Sequence, residues 1–195
     1  MTLRLLAATL AFALLRATAH AADLPADCSA TKPPAQPVEA SIGGATYTPD
    51  FVKLVRAGTM KSGNEAFDSW RLTLRNKDSV FAPLSMDVTV IVPNGQSVDG
   101  KVFRRLPTKT ISKQPSASSG LPEVQGWSFA DRKAATRGSH VKYVASLRLE
   151  FGQREGKTIG GTINLCVPKG QKSTFDKAPT TEDSYAIGAF EAMLK

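Results

Sequence analysis

The sequence predicts an all-β protein, an antiparallel two-sheet β-sandwich of about eight strands. Apolar and polar residues alternate in several windows, as half-buried strands require. Short clusters of Gly, Pro, Asn and Asp separate those windows at hairpin-like intervals. Outside residues 1–21, no window of similar length carries a helical repeat of apolar residues.

The N-terminus stands apart from this pattern. "MTLRLLAATLAFALLRATAHA" combines Arg4, an apolar run over 5–15 and the small-x-small triplet Ala19, His20, Ala21. Residues 1–21 therefore read as a signal peptide cleaved after Ala21. The run is too short for the ~30 Å hydrocarbon core of a bilayer and Arg16 interrupts it, which argues against a transmembrane anchor. "PAD" before Cys28 lacks the residues that lipidation needs. The mature protein is expected to be soluble and exported, either periplasmic or secreted.

Residues 22–41, "ADLPADCSATKPPAQPVEAS", show no apolar period and read as an extended leader stiffened by Pro33, Pro34 and Pro37. The remainder, 42–195, reads as one domain, with strands near 45–56, 69–76, 85–92, 101–106, 122–129, 140–151, 160–167 and 184–193. In "SWRLTLRN", Trp70, Leu72 and Leu74 alternate with Arg71, Thr73 and Arg75. In "SMDVTVIV", Met86, Val88, Val90 and Val92 alternate with Asp87 and Thr89. "HVKYVASLRLEF" keeps one phase from Val141 to Phe151, with Lys142, Ser146, Arg148 and Glu150 on the polar side. "PNG" at 93–95, "DG" at 99–100, "SSG" at 118–120, "RGS" at 137–139 and "REG" at 154–156 supply the turns. The stretch 107–122 is read as a loop, because neither flank could fold alone.

Two cysteines remain to be placed. In an oxidising compartment the simplest reading is an internal disulfide, Cys28–Cys166; an intermolecular bridge and two buried thiols are the alternatives. Closing so long a loop is worth on the order of 4–5 kcal/mol in the chain-entropy model, as an upper figure. In "TINLCVP", Ile163, Leu165 and Val167 share the core face, which leaves Thr162, Asn164 and Cys166 facing outward. The leader is thus expected to lie across the outer face or edge of that sheet, pinned by the disulfide, where it would also protect an edge from pairing with other chains.

The closing pattern Gly161, Ile163, Leu165, Cys166, Pro168, and then Gly188, Phe190, Ala192, resembles the end of a β-sandwich module of uncharacterised exported bacterial proteins. Gly44-x-x-Tyr47-x-Pro49 and the Asp99-Gly100-Lys101 turn are similar to that module's earlier landmarks. The resemblance covers most of 42–195 and implies fold and compartment; it implies no activity. The segment 169–185 departs from the pattern as an insertion before the last strand.

Chemistry-bearing residues are few. Past the signal peptide the chain keeps one histidine, His140, so a Ser-His-Asp hydrolase would have to use it, and its place after "RGS" suits a solvated turn residue. There is no G-x-S-x-G elbow. No metal or cofactor set is read, since both cysteines are assigned to the disulfide. Asp176, Glu182 and Asp183, in the acidic stretch 176–183, offer oxygen ligands of the kind calcium takes, but at no EF-hand spacing. Asp87 and Glu150 sit on solvent-facing sides of their strands, where cross-strand salt links are expected.

The basic residues carry more. The formal net charge is +8, of which Arg4 and Arg16 supply two and leave with the signal peptide. Lys101, Arg104, Arg105 and Lys109 in one segment, and Arg132, Lys133 and Arg137 in another, would form a cationic patch if they were neighbours, with Trp127, Phe103 and Phe129 nearby. The function expected is non-enzymatic: binding of an anionic envelope polymer or an exported protein, including inhibition of an exported hydrolase. A cell-wall or polysaccharide hydrolase with a dispersed carboxylate pair is the alternative. Nucleic acid is not expected as a partner, because no recognition fold is visible.

Overall fold

The structure, a computed structural model, describes residues 27–79, 82–106, 122–128, 139–142, 145–170 and 182–195. The expected signal peptide lies outside the described residues. Among those described there is no helix, and none therefore long and apolar enough to cross a membrane. Among the described residues eleven strands form one hydrogen-bonded sheet. They are β1 (Glu39–Ile42), β2 (Ala45–Tyr47), β3 (Phe51–Ser62), β4 (Glu65–Arg75), β5 (Leu84–Pro93), β6 (Val102–Arg105), β7 (Glu123–Ser128), β8 (Ser139–Lys142), β9 (Ser146–Glu155), β10 (Thr158–Val167) and β11 (Ser184–Leu194).

The order β6-β9-β10-β11-β3-β4-β5-β7-β8 falls into two wings. The first, β6-β9-β10-β11, and the second, β3-β4-β5-β7-β8, are antiparallel within themselves. They join where Met193 and Leu194 of β11 run parallel to Lys53 and Leu54 of β3. This corrects the expectation of two wholly antiparallel sheets: the sheet is mixed and continuous. The reason is topological. Alternation and hairpin turns specify pairing between chain neighbours, whereas the meeting of the last strand with β3 is non-local.

Two expected strands divide. The chain at 45–56 becomes β2 and β3 on either side of Pro49, and β2 pairs with β1 while β3 pairs with β4. The chain at 140–151 becomes β8, which pairs with β7, and β9, which lies between β6 and β10. Apolar phase is preserved across that stretch, so periodicity alone could not reveal that the chain changes wings. The β3–β4 hairpin also extends further than alternation predicts, with its register shifted between Arg56 and Gly58.

Alternate positions of both wings feed one core. Leu54, Leu72, Leu74, Met86, Val88, Val90 and Val92 come from the second wing and Leu147, Leu149, Ile163 and Leu165 from the first. The sheet therefore curls about the β11–β3 join, and β1, branching from β11, approaches β7 of the opposite wing. At one end, Phe103, Phe151 and Phe190 stack edge to face with centroids 6.0 and 5.9 Å apart. Gly161 makes room for them, since a Cβ there would stand 2.5 Å from the Phe190 ring and from Glu150 O.

From Asp27 onward the leader crosses the sheet as expected, except that its last residues, Glu39–Ser41, belong to strand β1, which pairs with β2 and β11. Cys28 and Cys166 are joined by a disulfide with their Cα atoms 5.7 Å apart. Cys28 N–H donates to Ser146 Oγ at 2.8 Å, Asn164 Nδ2 donates to Thr31 O at 3.2 Å, and Arg148 Nη1 donates to Ala30 O at 3.4 Å. The leader thus crosses the outer face of β9 and β10 and then meets β11. There Val38 N–H donates to Ala189 O, and Ala189 N–H to Gln36 O. Gly188 takes φ +135°, and a Cβ on it would come within 2.8 Å of Pro37 O and within 2.7 Å of Gln36 O. The disulfide points to an oxidising compartment.

Candidate functional site

The structure divides the expected cationic patch. Lys109, Arg132, Lys133, Arg137 and Phe129 lie outside the described residues, and of Trp127 only the backbone position in β7 is described. Lys101, half-buried, reaches Gln96 Oε1 at 2.6 Å. Arg104 is exposed on β6, opposite Arg148 on the outer face of the first wing. Arg105 is not a surface residue. It pairs with core-facing Leu147, is 5% exposed, and donates from Nη1 to Pro122 O at 2.7 Å, which ties the end of β6 to the start of β7. Phe103 turns inward with it. Strand parity thus removes half of the described part of the patch.

The carboxylates resolve into structural and unexplained groups. Glu150 Oε1 meets Arg148 Nε at 2.5 Å, a link along β9 itself rather than the cross-strand one expected, because residues two apart on a strand share a face. Asp68 joins Arg56 Nη2 at 2.7 Å, Thr59 Oγ1 at 2.8 Å and Gly95 N–H at 3.0 Å, fastening the β3 bulge to the turn after β5. The Arg56 hydrogen bond holds this carboxyl below its ordinary value against its burial, helped by Gly95 and Thr59. Asp183 accepts from Lys169 N–H at 2.6 Å, while Asp176 lies outside the described residues. Among the described residues no cluster of three or more His, Cys, Asp or Glu is placed to hold a metal. His140 stands opposite Trp127 in the β7–β8 register; its side chain lies outside the described residues.

Asp87 departs from its expected place on a solvated face. It sits at the centre of the outer face of the second wing, between Thr73 of β4 and Gln125 of β7 in register. Thr73, Ser85, Asp87 and Thr89 form a polar floor, with Asp87 only 5% exposed. Arg71 and Arg75 flank it from β4, and Lys53 follows in the same register from β3. The nearest ion pair is a long one, Arg71 Nε to Oδ2 at 3.9 Å, beyond hydrogen-bond reach. Arg75 is committed elsewhere, from Nε to Ser85 Oγ at 3.3 Å and from Nη1 to Ser79 O at 3.2 Å. Asp87 Oδ1 is buried and accepts no hydrogen bond. Burial pushes the carboxyl above its ordinary value, although the Thr73 hydrogen bond and the fields of Arg71, Arg75 and Lys53 pull it down.

The sequence presents Arg71 and Arg75 as alternating polar residues, and Asp87 as a solvent-facing carboxylate expected in a cross-strand salt link. The signal available was composition: an acidic residue on a strand whose neighbour carries Arg-x-Thr-x-Arg. What could not be read was that β3 brings Lys53 to the same face. Comparison with family models, with curated proteins and with solved structures returned no match.

Proposed function

We propose that this is an exported, non-enzymatic binding protein that contacts an anionic polymer of the cell envelope through its outer cationic faces. The observation that carries the reading is the sorting of charge by the strands. Apolar residues turn into one core, while Arg104 on the first wing and Lys53 and Arg71 on the second face outward. With a net charge of +8 for the full chain, this favours salt-sensitive attraction to polyanions. On the same reading residues 1–21 are the cleaved signal, and the disulfide suits the periplasm or the medium.

The alternative of a hydrolase with a carboxylate pair is less well supported. Asp87 has the raised pKa that a general acid needs, but the charged groups acting on it are cations. The test is retention on immobilised dextran sulfate beside neutral dextran, eluted with rising salt. Retention on the sulfated matrix alone, weakened in Arg104→Glu, is the expected result. Equal behaviour on both matrices would overturn the reading.

A further inference from the structure

An antiparallel wing with one face on the core ordinarily offers its other face to water. On the second wing that face is a buried floor of hydroxyls around one carboxylate, with three cations about it. The balance of charge is uneven. Two acidic residues, Asp87 and Glu123, share the register of this face with Lys53, Arg71, Arg75 and Lys142, and none of the three cations acting on Asp87 closes a short ion pair with it. Arg71 remains about half exposed, so its guanidinium fork is open to solvent. A group with excess positive charge, hydroxyl donors beneath it and a planar fork at its rim suits an oxyanion.

We propose that Arg71 and Lys53 bind the sulfate, phosphate or carboxylate groups of a polyanion on this face, beside Asp87, which competes with the ligand for the same cations, while Arg75, held by Ser85 and Ser79, contributes only its field. The proposal rests on the polyanion reading above and places the site on the second wing, away from the segments in which sequence reasoning sought it. It has a consequence that a general basic surface lacks. While ionised, Asp87 repels the ligand and neutralises part of its cations; once protonated it does neither. Bound anion and bound proton therefore favour each other, and affinity rises as pH falls through the raised Asp87 titration. The charged or titratable residues in register around Asp87 are Lys53 on β3, Arg71 and Arg75 on β4, Glu123 on β7, and His140 and Lys142 on β8. Protonation of an imidazole would also favour an anion, so the contribution of His140 is separated from that of Asp87 by substitution.

The experiment titrates the oxidised protein with dextran sulfate, whose charge is constant, from about pH 7.5 down to about pH 4 at fixed ionic strength. Wild type should bind more tightly as pH falls, and His140→Gln should keep most of that gain. Asp87→Asn, isosteric and uncharged, should bind about tenfold more tightly at neutral pH and lose the gain. Arg71→Gln, at an exposed side chain, and Lys53→Gln should each weaken binding about fivefold or more throughout. Binding that Asp87→Asn and Arg71→Gln leave unchanged would overturn this site and leave the polyanion reading standing. Absence of binding by wild type at every pH would overturn both.

Discussion

At the scale of single residues, two aspartates on neighbouring strands show how environment sets opposite signs. Asp68 is met by Arg56, Thr59 and Gly95 and its pKa is lowered. The stability it contributes is present above its unfolded value of 3.8 and is lost as pH falls through that value toward the folded one. Asp87 is raised from 3.8, so its contribution is full below 3.8 and is lost as pH rises through its folded pKa. Urea melts across pH should therefore separate them. Asp68→Asn should lower stability at neutral pH and flatten the acid limb, whereas Asp87→Asn should raise stability at neutral pH. A neutral-pH loss in both variants would mean that Asp87 is better partnered than its geometry implies. Glycine acts at the same scale through the atom it lacks. Gly188→Ala would drive a Cβ into the leader at Gln36 and Pro37, at a φ that L residues rarely adopt. Such overpacking typically costs about 1–3 kcal/mol. The expected outcome is a lower melting temperature together with faster proteolysis within 30–38 than in wild type; an unchanged cleavage pattern would count against the close leader contact.

At the scale of elements, the leader depends on one covalent bond and a handful of hydrogen bonds. The disulfide spans 138 residues, for which loop entropy sets an upper figure near ~5 kcal/mol. Cys28→Ser/Cys166→Ser should be destabilised by roughly 2–5 kcal/mol. It should also exchange the amides of Val38 and Ala189 faster, because the leader is then held only by backbone bonds and by Ser146, Arg148 and Asn164. A double variant as stable as wild type would show that the leader docks without its clamp. This element was legible in advance, since the parity of "TINLCVP" turned Cys166 outward and the leader had to meet it there. The face of Asp87 was legible only in part, because strand pairing that brings Lys53 beside Thr73 is absent from local alternation. Arg105 misled for a related reason. Its type suggested surface, but its place two residues after Phe103 fixed it on the inner side, where a long side chain can still reach Pro122 O. The split of 140–151 between β8 and β9 was invisible because both pieces keep the same phase.

At the scale of the molecule, the question is what couples the two wings. The backbone link between them is the short parallel run of Met193 and Leu194 beside Lys53 and Leu54, with the Arg105–Pro122 contact bridging at the other end. Ladders so short contribute little by themselves, and each wing alone would leave an apolar face bare. Leu54, Leu72, Leu74 and Met86 meet Leu147, Leu149, Ile163 and Leu165 in a single cluster, so coupling runs through the core. The wings should then unfold as one unit. Trp70 and Trp127 both lie in strands of the second wing, so tryptophan fluorescence follows that wing, while far-UV circular dichroism follows the whole sheet. The two urea transitions should coincide. Leu149→Ala, a change confined to the first wing, should destabilise by roughly 2–5 kcal/mol and move the fluorescence transition as far as the dichroism one. Were the fluorescence transition to stay in place while dichroism lost an early component, the wings would be separate folding units, and the β11–β3 join would be a contact between domains rather than a seam within one.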